Sequence, residues 1–118
     1  GFNMSSIKTK FNAVKEDITA AINDDYGNQF SWNISPDEFN NGYCDYFAEF
    51  MSNKYSDVEY MSSDDISKEF KIMTGRYPPS HAFIKYQNKY YDYENLDGVK
   101  HPLDLKFYKR ALEYYENH

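Results

Sequence analysis

Cysteine occurs once in the 118 residues, at Cys44. A single thiol excludes an intrachain disulfide and any zinc site built from cysteines. A free thiol is safest in a reducing cytosol, so a cytoplasmic location is expected. Long apolar runs are missing, as is a basic segment leading into an apolar one, and neither a membrane span nor a secretory signal is expected. Positive charge is scarce: 13 Lys and Arg stand against 19 Asp and Glu, for a net charge of −6. A surface of that sign repels phosphate backbones and anionic lipid heads, so neither nucleic acid nor membrane is expected as a partner. The glycines form no phosphate-binding pattern. Three scattered histidines and an Asp64-Asp65 pair without calcium-loop spacing give no reason to expect a metal or other cofactor. Repeats and low-complexity linkers are absent. The length suits one domain, read as residues 4–118, with Gly1, Phe2 and Asn3 ahead of Met4 taken as an expression remnant.

Aromatic side chains are abundant instead, with 13 Tyr and 9 Phe among them. A chain of this kind can build its core from rings, provided the hydroxyls reach a partner or water. Ile7, Phe11, Val14, Ile18 and Ile22 recur three and four apart, which predicts a helix over 5–24, capped by Ser5 or Ser6 and ended by Asp24-Asp25-Tyr26-Gly27. Residues 28–42 read as loop, punctuated by Pro36, Asn40, Asn41 and Gly42. A second helix is expected from Tyr43 or Cys44 to about Tyr55. A short strand is expected over 56–61, a turn over 62–65, and over 70–73 either a strand or a short helix. His81 to Tyr86 and Lys89 to Tyr93 form two β-rich runs around Gln87-Asn88, a hairpin. Leu105, Tyr108, Leu112 and Tyr115 predict a C-terminal helix. The order implies an α+β fold: N-terminal helices packed on a small antiparallel sheet, then a C-terminal helix.

Three residues in this plan can carry chemistry together. Cys44 is expected in the first turn of its helix, where free backbone N–H groups and the helix dipole favour a thiolate and can hold an oxyanion. Asp45 opposes this with its charge. A lone buried cysteine commonly serves as a small hydrophobe, and a lone histidine as a hydrogen-bonded structural group, so the pattern has to be read jointly. His81 opens the hairpin. In either two-residue register His81, Phe83 and Lys85 share a face with Tyr90, Asp92 and Glu94, because side chains alternate along a strand. A carboxylate can then orient the imidazole, completing a nucleophile–base–orienter set. His101, in a turn before Pro102, and His118, at a frayed end, face no acid in this reading.

The runs Gly42-Tyr43-Cys44-Asp45-Tyr46-Phe47-Ala48 and Ser80-His81 through Asp92-Tyr93-Glu94 resemble the papain-like and transglutaminase-like cysteine hydrolases, including short bacterial and phage-type proteins. The resemblance covers residues 42–98. It implies a papain-like or transglutaminase-like core and acyl chemistry at an amide or peptide bond of a peptide or protein. It also implies a triad of Cys44, His81 and Asp92, with Glu94 as the alternative orienter. The Cys-Gly-Ser-Cys-Trp run of the cathepsins is absent. Asn41 and Asn40 stand nearer the cysteine than Gln29 as side-chain oxyanion donors. The competing expectation is a non-catalytic acidic binding or inhibitor protein of phage or mobile-element type, since tyrosine-rich acidic surfaces suit protein interfaces. The acidic balance predicts that a low-salt titration with random duplex or single-stranded DNA gives no micromolar complex; one that weakened steeply with salt would favour the binding protein over the enzyme.

Overall fold

The computed structural model describes residues 6–117. The proposed remnant Gly1–Asn3, the alternative cap Ser5 and the terminal His118 lie outside them. The apolar stripe of the first helix is buried throughout α1 (Ile7–Tyr26). Ser6 caps it by accepting from the Thr9 N–H at 3.1 Å, and Gly27 ends it in the left-handed conformation at φ 79°. Serine at the N-cap and glycine past the last turn are the residues such ends favour.

The second helix departs from expectation. α2 spans Pro36–Lys54, so the predicted loop ends seven residues early and Asn40, Asn41 and Gly42 are helical. Pro36 occupies the first helical position, where a missing N–H costs nothing and its fixed φ helps. Asp37 and Glu38 follow at the positive end of the dipole. Glycine inside a helix costs about 1 kcal/mol. The burial of Phe39, Phe47, Ala48 and Met51, all fully enclosed on the face of the same helix, outweighs that cost. The preceding segment is also fixed by rings. Trp32 stacks on Phe39 at 5.2 Å, and its indole N–H donates to the Thr19 hydroxyl at 2.6 Å.

Three strands follow in the antiparallel order β1 (Glu59–Ser62), β2 (Ala82–Tyr86), β3 (Lys89–Tyr91). Tyr86 pairs with Lys89 across Gln87-Asn88, both with positive φ, as a tight two-residue hairpin requires. A single 3₁₀ turn at Ser63–Ile66 replaces the predicted turn and leads into α3 (Ser67–Thr74), which settles the strand-or-helix ambiguity there. A second, Pro102–Asp104, leads into α4 (Lys106–Glu116). Among the described residues the fold is therefore α+β, four α-helices around one three-stranded sheet, and no helix is long and apolar enough to cross a membrane.

The central strand divides the core by parity. Ala82, Ile84 and Tyr86 join the apolar cluster of α1 and α2, whereas Phe83 joins Ile66, Phe70, Leu103, Leu105 and Tyr108 on the α3–α4 side. His81 shares the parity of Phe83 and so turns toward α4. Beyond β3 the chain doubles back through Gly98, at φ 84°, and Val99 bridges to Tyr90. A Cβ at Gly98 would lie 2.6 Å from the Tyr91 ring, whereas one at Gly75, also at positive φ, meets nothing within 4 Å. Gly75→Ala should therefore cost about 1 kcal/mol, from backbone strain alone. Gly98→Ala should cost a further ~1–3 kcal/mol from overpacking, both read from denaturant midpoints.

Candidate active site

Asp92 follows the last residue of β3 and begins a turn. One carboxylate oxygen, Oδ1, accepts the backbone N–H groups of Glu94 and Asn95, each at 3.0 Å. The other, Oδ2, faces Nε2 of His81 at 2.9 Å. Both side chains are buried, 0% and 1% exposed. A carboxylate accepts only, so Nε2 carries the proton and, in the neutral ring, Nδ1 holds the lone pair. Nδ1 is buried and makes no hydrogen bond.

Rings enclose this pair. Phe107 lies nearly parallel to the imidazole, 4.0 Å between centroids and 9° between planes. Tyr108 meets it edge-on at 5.5 Å. The strand end that carries His81 is fixed in turn by Ser63, whose N–H donates to the His81 carbonyl at 2.9 Å. The Ser63 hydroxyl donates to the Pro79 carbonyl at 2.6 Å and meets the Tyr108 hydroxyl at 2.7 Å. Burial alone would lower the His81 pKa, but the Asp92 hydrogen bond and the adjacent Cys44 side chain together outweigh it, and the net direction is upward.

Cys44 reaches the ring from α2, half-buried, on the wall of an open cleft of about 720 Å³ that His81, Phe107 and Asn40 also line. With Nε2 engaged by Asp92, Nδ1 is the ring nitrogen left for the thiol. The cysteine is nevertheless not in the opening turn of its helix. It is the ninth residue of α2, and its N–H belongs to the helical ladder. The expected help from free N–H groups and the dipole end is therefore overturned, and so is the expected oxyanion contact from the Cys44 N–H. The cause is the early start of α2 at Pro36.

Asn40 stands one turn before Cys44 on the same helical face and is 2% exposed. Its Nδ2 donates to Glu94 at 2.8 Å, which leaves a second N–H on that nitrogen, while Oδ1 is buried without a partner. Asn41 lines the cleft as an exposed residue. Glu94 is not beside His81. The strand ends at Tyr91, the Asp92 turn carries Glu94 away, and Arg110 takes its carboxylate with two bonds of 2.7 Å. Glu94 as orienter is thus corrected: it ties α2 to α4 through Asn40 and Arg110. Burial raises its pKa, but the Arg110 and Asn40 hydrogen bonds prevail and the net direction is downward. His101, expected to face no acid, lies 3.2 Å from Glu69 on the surface. Phe107 was missed in the sequence, although a large apolar residue beside Tyr108 and off the Leu105–Leu112 stripe was a signal for it.

In comparisons with known proteins, the chain matches no family model, no curated protein and no solved structure.

The His81–Asp92 contact has a definite pH signature. The folded pKa of His81 lies above the unfolded value of about 6.5. Its contribution to stability is therefore complete below that pH and lost as pH rises through the folded pKa. Asp92→Asn keeps the turn but removes the charge, so burial should then dominate and lower the His81 pKa. The variant should lose about 2 kcal/mol relative to wild type at low pH, and the difference should shrink at alkaline pH. Ring-proton NMR titration and denaturant melts across pH test this.

Proposed function

We propose that the protein is a thiol enzyme that hydrolyses or transfers an acyl group at an amide or peptide bond, on a papain-like or transglutaminase-like plan. The observation that carries this reading is the buried His81–Asp92 pair, whose free ring nitrogen has the lone Cys44 thiol for a neighbour on an open cleft. Geometry of this type supplies a nucleophile, a base and an orienter in reach of one another.

In the first step the thiol proton passes to His81 Nδ1 as sulfur attacks the carbonyl carbon. Asp92 holds the ring in the tautomer that accepts the proton and stabilises the imidazolium that forms. The second amide proton of Asn40, or the side chain of Asn41, would meet the developing oxyanion. The C–N bond then breaks, and the amine leaves with the proton from Nδ1, so a thioester remains on Cys44. Water or an acceptor amine attacks that thioester and gives a proton to His81, which returns it to sulfur. The substrate is a peptide or protein. A free thiol nucleophile also suits a cytoplasmic location.

The alternative, an acidic binding or inhibitor protein on a degenerate version of the same plan, separates cleanly by experiment. For the enzyme, iodoacetamide should modify Cys44 rapidly near neutral pH, and His81→Gln should slow modification by roughly tenfold or more. Cys44→Ala should abolish turnover of a peptide-amide library while leaving the melting temperature almost unchanged. Slow alkylation that ignores the His81 substitution would favour the binding protein.

A further inference from the structure

The cleft holds more than the reacting groups. Asp45 and Asp64 line it, and so does Tyr60, a β1 residue whose ring remains 43% exposed. Glu49 lies one helical turn beyond Asp45 on the same face of α2. Among the described residues Asp45, Glu49 and Asp64 form no ion pair, whereas Glu94, Glu69 and Asp97 each have a basic partner. No lysine or arginine lines the cleft.

One further observation points to a missing ligand. The buried Asn40 Oδ1 lacks a hydrogen-bond partner, and Asn40 lines this same cleft. Such an acceptor is costly to leave unsatisfied unless something that donates N–H arrives. A tyrosine ring flanked by carboxylates attracts a cation to its face and repels an anion. The Tyr60 hydroxyl is pushed up in pKa first by burial, then by the Glu49, Asp45 and Asp64 carboxylates.

We infer that Tyr60, Asp45 and Asp64 form a subsite that receives a lysine or arginine side chain of the substrate next to the scissile bond. This rests on the thiol-enzyme reading for its meaning, but not for its test. The ammonium or guanidinium would lie over the Tyr60 ring between the two carboxylates, and a backbone N–H of the substrate would satisfy Asn40 Oδ1. Glu49 adds long-range attraction from the rim.

The test is binding, followed by ¹⁵N–¹H NMR on the full chain at low salt. The probes are blocked tripeptides Gly-Lys-Gly, Gly-norleucine-Gly and Gly-Glu-Gly. The lysine peptide should bind about fivefold or more tightly than the norleucine one, with amide shifts centred on Asp45, Tyr60 and Asp64, and the glutamate peptide should bind most weakly. The preference should shrink as salt is added and vanish in Asp45→Asn, Asp64→Asn. Cys44→Ala should keep it. Equal binding of the lysine and norleucine peptides, a salt-insensitive preference, or shifts elsewhere on the surface would overturn the subsite. If the double variant fails to fold, the salt series and the glutamate peptide still decide. A clear lysine preference with slow, His81-independent alkylation would end the enzyme reading and leave the subsite standing. Fast alkylation without a lysine preference would do the reverse.

Discussion

Everything at the candidate site depends on how one carboxylate is held. Asp92 gives one oxygen to two backbone N–H groups of its own turn and the other to the His81 ring. A carboxylate fixed on one side by the backbone cannot rotate away from the imidazole on the other, so the ring has one orientation and one tautomer. Burial makes the contact strong, because little water competes for it. It also makes the contact indispensable: an imidazolium without its counter-charge would be expensive in this box of rings. Phe107 and Tyr108 thus contribute by exclusion, and α4 is part of the site although only one of its residues borders the cleft.

Much of this was legible from strand alternation. A two-residue hairpin at Gln87-Asn88 fixes which side chains share a face, so His81 and Asp92 follow from counting. The same counting could not separate Asp92 from Glu94, since both have the right parity. That choice is made where β3 stops. Pairing ends at Tyr91, and the Asp92 side chain captures the next N–H groups, which swings Glu94 round to Arg110. Local side-chain-to-backbone bonding of this kind competes with the ladder, and a periodicity argument does not weigh it.

The second helix shows the opposite failure. Pro36, Asn40, Asn41 and Gly42 all carry turn preferences, and a local reading places a loop there. The preferences are worth about 1 kcal/mol each or less, whereas each large ring that Phe39 and Phe47 represent contributes about 2–3 kcal/mol when buried. Trp32, Phe30 and Tyr93 collect around Phe39. The Tyr93 contact comes from far along the chain, and the nearer two depend on how the segment before α2 folds back, so a linear reading does not weigh them. The outcome moves Cys44 from a helix end to a helix interior, so any activation of its sulfur rests on His81 rather than on the backbone.

The Asn40–Glu94–Arg110 chain links α2 near the beginning of the fold to α4 at its end. The helix that supplies Arg110 also supplies the ring that covers His81. A chain still emerging from synthesis, with residues beyond about 105 not yet in place, therefore has a cysteine and a histidine but no sealed pair. Docking of α4 is therefore the event that seals the His81–Asp92 pair under its rings and ties it to α2.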